Sequence, residues 1–126
     1  MPHARVDLHE SYRDRLPELS GALLRGMVKG FDMPESDLFH IFRLHQPGEL
    51  YFSTTHPEPP RDDIIFIEVL AGIGYASSST KHKALVAIAD EFEALGIPRH
   101  DLLLHVIEVP AGDWYSPGIA GPAGVA

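Results

Sequence analysis

The chain has no cysteine. That absence removes disulfides, thiolate metal sites and thiol nucleophiles at one stroke. No stretch approaches the ~18 apolar residues that crossing a bilayer takes, and the first residues lack the long apolar core of a secretory leader. A soluble, cytoplasmic protein with no membrane partner is expected. Cations are scarce, with 10 Lys and Arg against 18 Asp and Glu for a net charge of −8, and that field repels nucleic acid and anionic lipid. An anionic substrate would have to be held by a few local cations. The eight histidines show no pair at metal-ligand spacing on a helix, so neither a metal nor a cofactor is expected.

The length of 126 residues suits one domain with one core. Ala4, Val6 and Leu8 alternate with His3, Arg5 and Asp7, the period-2 mark of a half-buried strand. From about Asp14 to Lys29, Leu16, Leu19, Leu23, Leu24, Met27 and Val28 recur at helical steps, with Gly30 as the expected stop. Leu38–His45 reads as a second strand. A proline-rich break over residues 46–62 follows, in which Leu50–Phe52 could pair briefly at a sheet edge. Asp63–Ala71 is nearly continuous in apolar residues and reads as a central strand. A second helix is expected over Thr80–Leu95, ended by Gly96 and Pro98, and a fourth strand over Leu102–Val109. The tail from about residue 117 is too rich in glycine and proline for a core element.

The two halves repeat. An offset of 64 lays Met33-Pro34-Glu35-Ser36-Asp37-Leu38 on Ile97-Pro98-Arg99-His100-Asp101-Leu102, and Leu24 on Ile88. Each half, about 2–60 and 61–118, is then one β-α-β unit. Two such units with right-handed crossovers make a four-stranded mixed sheet carrying both helices on one face. The other face is left bare, and with no further helix in the chain its expected cover is another subunit.

Met1-Pro2 leading into a strand, the helix end Phe31-Asp32-Met33-Pro34, Asp37, the segment His45-Gln46-Pro47-Gly48-Glu49-Leu50, Arg61-Asp62-Asp63 before the third strand, Val109-Pro110 and Asp113-Trp114 form an ordered set. In that order and spacing the chain resembles the tautomerase superfamily, and within it the group containing malonate semialdehyde decarboxylase. The resemblance implies the tautomerase, or macrophage migration inhibitory factor-like, α+β fold and a homotrimer with active sites between neighbouring subunits. It also implies an acid/base role for Pro2 once Met1 is removed, and a supporting role for Asp37. Members that decarboxylate or dehalogenate carboxylated substrates carry one or two arginines just after the third strand. Here that stretch reads Ala71-Gly72-Ile73-Gly74-Tyr75-Ala76-Ser77, without one.

A proline at the N-terminus offers a secondary amine on a rigid ring, and an apolar setting lowers an α-amine from its reference of about 7.7–8.0 toward a neutral base. Asp37 either orients that amine or activates a water, or it is a turn or cap residue, a structural reading that Asp101 at the same place in the second half favours. For a substrate carboxylate the candidate cations are Arg61, the best placed, Arg43, which a buried or interfacial ion pair would explain equally well, and the Lys81/Lys83 pair, which belongs to a helix start and reads as solvated. Tyr75 joins them as a substrate-binding candidate, while Trp114 and Tyr115 either wall a pocket or close the core. The leading expectation is keto–enol proton transfer on a small enol or oxo acid. The alternatives are decarboxylation or hydration of a three-carbon oxo acid, and a non-catalytic trimeric binding protein.

Overall fold

The computed structural model describes residues 2–118. Met1 and the tail from residue 119 lie outside the described residues, and with them most of the tail expected from about residue 117. The elements run β1 (His3–His9), α1 (Leu16–Phe31), β2 (His40–His45), β3 (Ile65–Gly72), α2 (Ser78–Ala94) and β4 (Leu102–Val109), with 3-10 turns at Glu10–Arg15, Arg99–Asp101 and Ala111–Asp113. The sheet order is β2-β1-β3-β4. β1 is parallel to β2, β3 is parallel to β4, and the two units join through the antiparallel β1–β3 pair. This is the expected mixed sheet, with β3 central.

Alternation decides which side chains reach the core. Ala4, Val6 and Leu8 of β1 and Ile65, Ile67 and Val69 of β3 are wholly buried against Leu19, Leu23 and Met27 of α1 and Ile88 and Phe92 of α2. Both helices therefore cover one face. The opposite face is polar at its middle. Arg43 Nη2 donates to Asp7 Oδ2 at 2.9 Å, His45 Nε2 lies 2.8 Å from Asp7 Oδ1, and Glu68 lies between Arg5 (3.8 Å) and His105 (3.3 Å). Ile41, Leu103 and Ile107 flank these pairs, 49%, 52% and 40% exposed. β3 is thus less apolar on this side than its sequence suggests, because Glu68 shares the open face with Phe66 and Leu70.

Two expectations need correction. Gly30 does not stop the first helix, which continues through Phe31 and ends on Asp32, at φ 55° in the left-handed region. What requires glycine is the neighbouring helix. A Cβ on Gly30 would lie 2.2 Å from the Ala84 Cα, and one on Gly26 would lie 2.6 Å from the Ile88 Cα, so these two positions let α1 and α2 meet backbone to backbone. Leu50–Phe52 forms no strand; the segment stays irregular, with Tyr51 88% exposed. α2 starts as a capped helix does, the Thr80 N–H donating to the Ser77 Oγ at 3.2 Å.

Candidate active site

Three strand ends and one loop converge where β1 begins. The Ala4 N–H donates to the Phe39 carbonyl at 3.0 Å, which ties the segment before β2 to the start of β1. Ala4 pairs with His40 on one side and His3 with Leu70 on the other. Carried on by two residues and by one, these registers set Pro2 beside Leu38 and Ala71. The Pro2 ring is fully buried, so its nitrogen sits at the edge of an apolar layer.

Asp37 closes a turn, its N–H bonded to the Pro34 carbonyl at 3.0 Å. Asp101 makes the same turn in the second half, its N–H bonded to Pro98 O at 3.0 Å, so the structural reading of Asp37 holds as far as the backbone goes. The side chains part company. Asp37 Oδ1 is buried and takes no hydrogen bond among the described residues, a state that costs about 1–3 kcal/mol, more for a charged group, unless something supplies a donor. Asp101, 8% exposed, has its carboxyl raised first by burial and is approached by His100 at 3.7 Å.

Tyr75 hangs from the loop after β3, where its N–H bonds to the Gly72 carbonyl at 3.0 Å. Its ring meets Phe31 edge-on, with centroids 5.5 Å apart. Burial raises its hydroxyl above the ordinary tyrosine value, and the carboxylates of Asp37 and Asp32 raise it further, so the phenol stays protonated and able to donate. On the open-face side His3 stacks on Trp114, with centroids 5.3 Å apart and 24° between the planes. Burial and then the Arg5 charge lower the His3 imidazole, which keeps it neutral near pH 7. Lys81 at the start of α2 donates to Glu108 Oε1 at 2.6 Å, so its charge is spent on a neighbouring carboxylate.

A family model described as "Tautomerase enzyme" matches residues 37–115. The chain belongs to the tautomerase family. Comparison with curated protein sequences gives no match. Among solved structures it is similar to FG41 malonate semialdehyde decarboxylase inhibited by 3-bromopropiolate, at 22% identity over 94% of this chain and 90% of that chain, with a TM-score of 0.81. It is similar also to macrophage migration inhibitory factor of Toxoplasma gondii, at 18% identity, 93% and 97% coverage and a TM-score of 0.69. F6 fused 4-OT, an asymmetric trimer, gives 15% identity, 93% and 94% coverage and a TM-score of 0.77. At these identities the likeness shows the fold.

Within this tautomerase fold the expected residues divide. Asp37 and Tyr75 lie toward the β1 end that bears Pro2, and Trp114 stands at the same strand end on the open face, against His3. Arg61 lies elsewhere. It precedes β3, whose far end faces Pro2, so the length of that strand separates the two. Its Nε donates to His100 O, its Nη1 to Ser53 O and His56 O, and its Nη2 to Pro57 O, all at 2.7 Å. Four of five N–H donors are thus spent on backbone carbonyls, and the expectation of a carboxylate-binding Arg61 gives way to a residue that pins the 53–57 loop. Arg43 is likewise held on the open face by Asp7, the ion pair its alternation allowed for. Tyr115 is 86% exposed and neither walls a pocket nor closes the core within the protomer.

Sequence reasoning passed over His3, Phe31 and Asp32 as members of this cluster. His3 was legible as the neighbour of Pro2 whose side chain alternates to the other face. The Phe31 and Asp32 contacts with Tyr75 depend on loop geometry that no spacing encodes. Among the described residues no group of three or more His, Asp or Glu could hold a metal ion, and no helix is long and apolar enough to cross a membrane.

Proposed function

We propose that the protein is a tautomerase in the chemical sense, an enzyme that moves a proton between carbon and oxygen of a small enol or oxo compound with the amine of Pro2 as base and then acid. The observation that carries the reading is the buried, unpartnered Asp37 Oδ1 beside the strand end that bears Pro2. Removal of Met1 turns the Pro2 amide into a secondary amine, which supplies the donor that oxygen lacks. Burial of the ring disfavours the charged amine while a neighbouring carboxylate favours it, and the neutral form is the one that acts as base. The neutral amine takes the proton from the carbon next to the carbonyl as the electron pair moves to oxygen. The ammonium then delivers that proton to the enolate oxygen, giving the enol and restoring the neutral amine; ketonisation runs the same two transfers in reverse.

On this reading the chain is one domain of two halves, about 2–60 and 61–118, acting in a trimer with sites between neighbouring subunits. Support comes from Ile41, Leu103 and Ile107 exposed around self-neutralised charge pairs on the open face, and from F6 fused 4-OT, a protein of this fold that is a trimer. A second reading, decarboxylation or hydration of a three-carbon oxo acid, draws on the likeness to malonate semialdehyde decarboxylase. It ranks lower because no arginine stands between Ala71 and Ser77 to grip a carboxylate.

Ketonisation of phenylenolpyruvate by wild type and Pro2→Ala tests the reading. A loss in kcat/KM of about 100-fold or more is expected for loss of a positioned base. Equal rates in the two proteins would refute it.

A further inference from the structure

The proton-transfer reading leaves one chemical need unassigned, a donor for the oxygen on which enolate charge develops. We propose that the Tyr75 hydroxyl is that donor, and that with Asp37 and Asp32 flanking it the site prefers an uncharged carbonyl compound to the corresponding carboxylate. The inference rests on Pro2 being the base.

Position comes first. Tyr75 sits in the loop that leaves β3 after Gly72, the residue next to Ala71, which the β1–β3 register carries opposite Pro2. The Gly72–Tyr75 turn and the edge-on contact with Phe31 fix the ring, so the hydroxyl is presented without the freedom of a long side chain. A donor already held in place costs little reorganisation when charge develops, which is where such groups contribute most.

Charge comes second. The carboxylates that add to burial in raising the phenol also set the sign of the surroundings. Asp37 is partly buried with one oxygen unpartnered, and Asp32 caps the end of α1. Lys81 is neutralised by Glu108, Arg5 lies on the open face against Glu68, and His3 is pushed toward its neutral form. An incoming carboxylate meets these two like charges, while Lys81 and Arg5 are already paired with carboxylates of their own. An ester, ketone or aldehyde meets only a proton donor for its oxygen. A tyrosine suits such a substrate, because a neutral donor stabilises a developing oxyanion without requiring a permanent anion to balance it.

The test compares wild type, Tyr75→Phe and Pro2→Ala on phenylpyruvate and its methyl ester, which removes the charge and adds one methyl group, by following keto–enol exchange. Tyr75→Phe keeps the ring on Phe31 and so preserves the fold. The expected result is that Tyr75→Phe lowers kcat on the ester at least tenfold with little change in KM. The ester should also exceed the acid in kcat/KM by about tenfold or more, a gap that narrows with added salt as repulsion of the acid is screened. Full activity of Tyr75→Phe with Pro2→Ala inactive would overturn the donor role while leaving the base assignment standing. A preference for the acid, undiminished by salt, would overturn the substrate class. Full activity of Pro2→Ala would remove the reading on which both depend.

Discussion

Asp37 and Asp101 make the same backbone turn, yet only Asp37 keeps an unpartnered buried oxygen. Comparing the two repeats by sequence alone hides this difference, since the offset of 64 matches Asp with Asp. Asp37→Asn should therefore lower kcat at least tenfold with little loss of stability, whereas Asp101→Asn should leave turnover unchanged; steady-state kinetics on both variants decide it. Arg61 is illegible in the sequence for a related reason. Its partners are carbonyls of Ser53, His56, Pro57 and His100, and backbone oxygens leave no mark in a sequence. His40 supplies a pH prediction. Its Nδ1 lies 2.8 Å from the Ser20 Oγ, and burial pushes the imidazole from 6.5 down to about 4. Between those values the unfolded chain binds a proton that the folded one refuses, so stability is full above pH 6.5 and declines as pH falls toward 4. Screening of a partly exposed ring limits the effect to about 2 kcal/mol at most. Chemical denaturation at pH 7 and pH 4.5 should show the decline, and His40→Gln should flatten its His40 share; a pH-independent midpoint in the wild type would contradict it.

At the scale of elements, periodicity carried most of the fold. β4 occupies the expected Leu102–Val109, and β1, β3 and both helices begin or end within about two residues of expectation, because each buries one face and its apolar spacing must follow the element's own period. The misses fall where backbone contact decides. Gly30 resembles a helix stop by type, but its reason lies at Ala84, in the helix it touches. Gly30→Ala should force α1 and α2 apart and cost about 1–3 kcal/mol, a fall of roughly 3–10 °C in Tm. Gly21 is the internal control. A Cβ there meets only the Arg25 Nη1 at 3.2 Å, the movable end of a long side chain, so Gly21→Ala should hold or gain about 0.5–1 kcal/mol. Thermal melts of the two variants should shift in opposite directions, and equal destabilisation would contradict the close-approach account.

At the scale of the molecule, one sheet face is filled by two helices and the other carries paired charges flanked by exposed aliphatics. Surfaces of that kind bury well against copies of themselves, since their charges are already satisfied and only apolar area is gained. Light scattering should give three times the 13.9 kDa chain, and Ile107→Arg should yield a folded, smaller species with reduced turnover. A wild-type monomer would contradict the trimer. Everything chemical, however, rests on one atom. A 15N-proline NMR titration reads it directly, because a free Pro2 amine differs from every proline amide in the chain. The account predicts that this nitrogen titrates, with a midpoint coincident with the acid limb of the kcat/KM profile. A Pro2 nitrogen that does not titrate, or one whose midpoint stands apart from that limb, would contradict it.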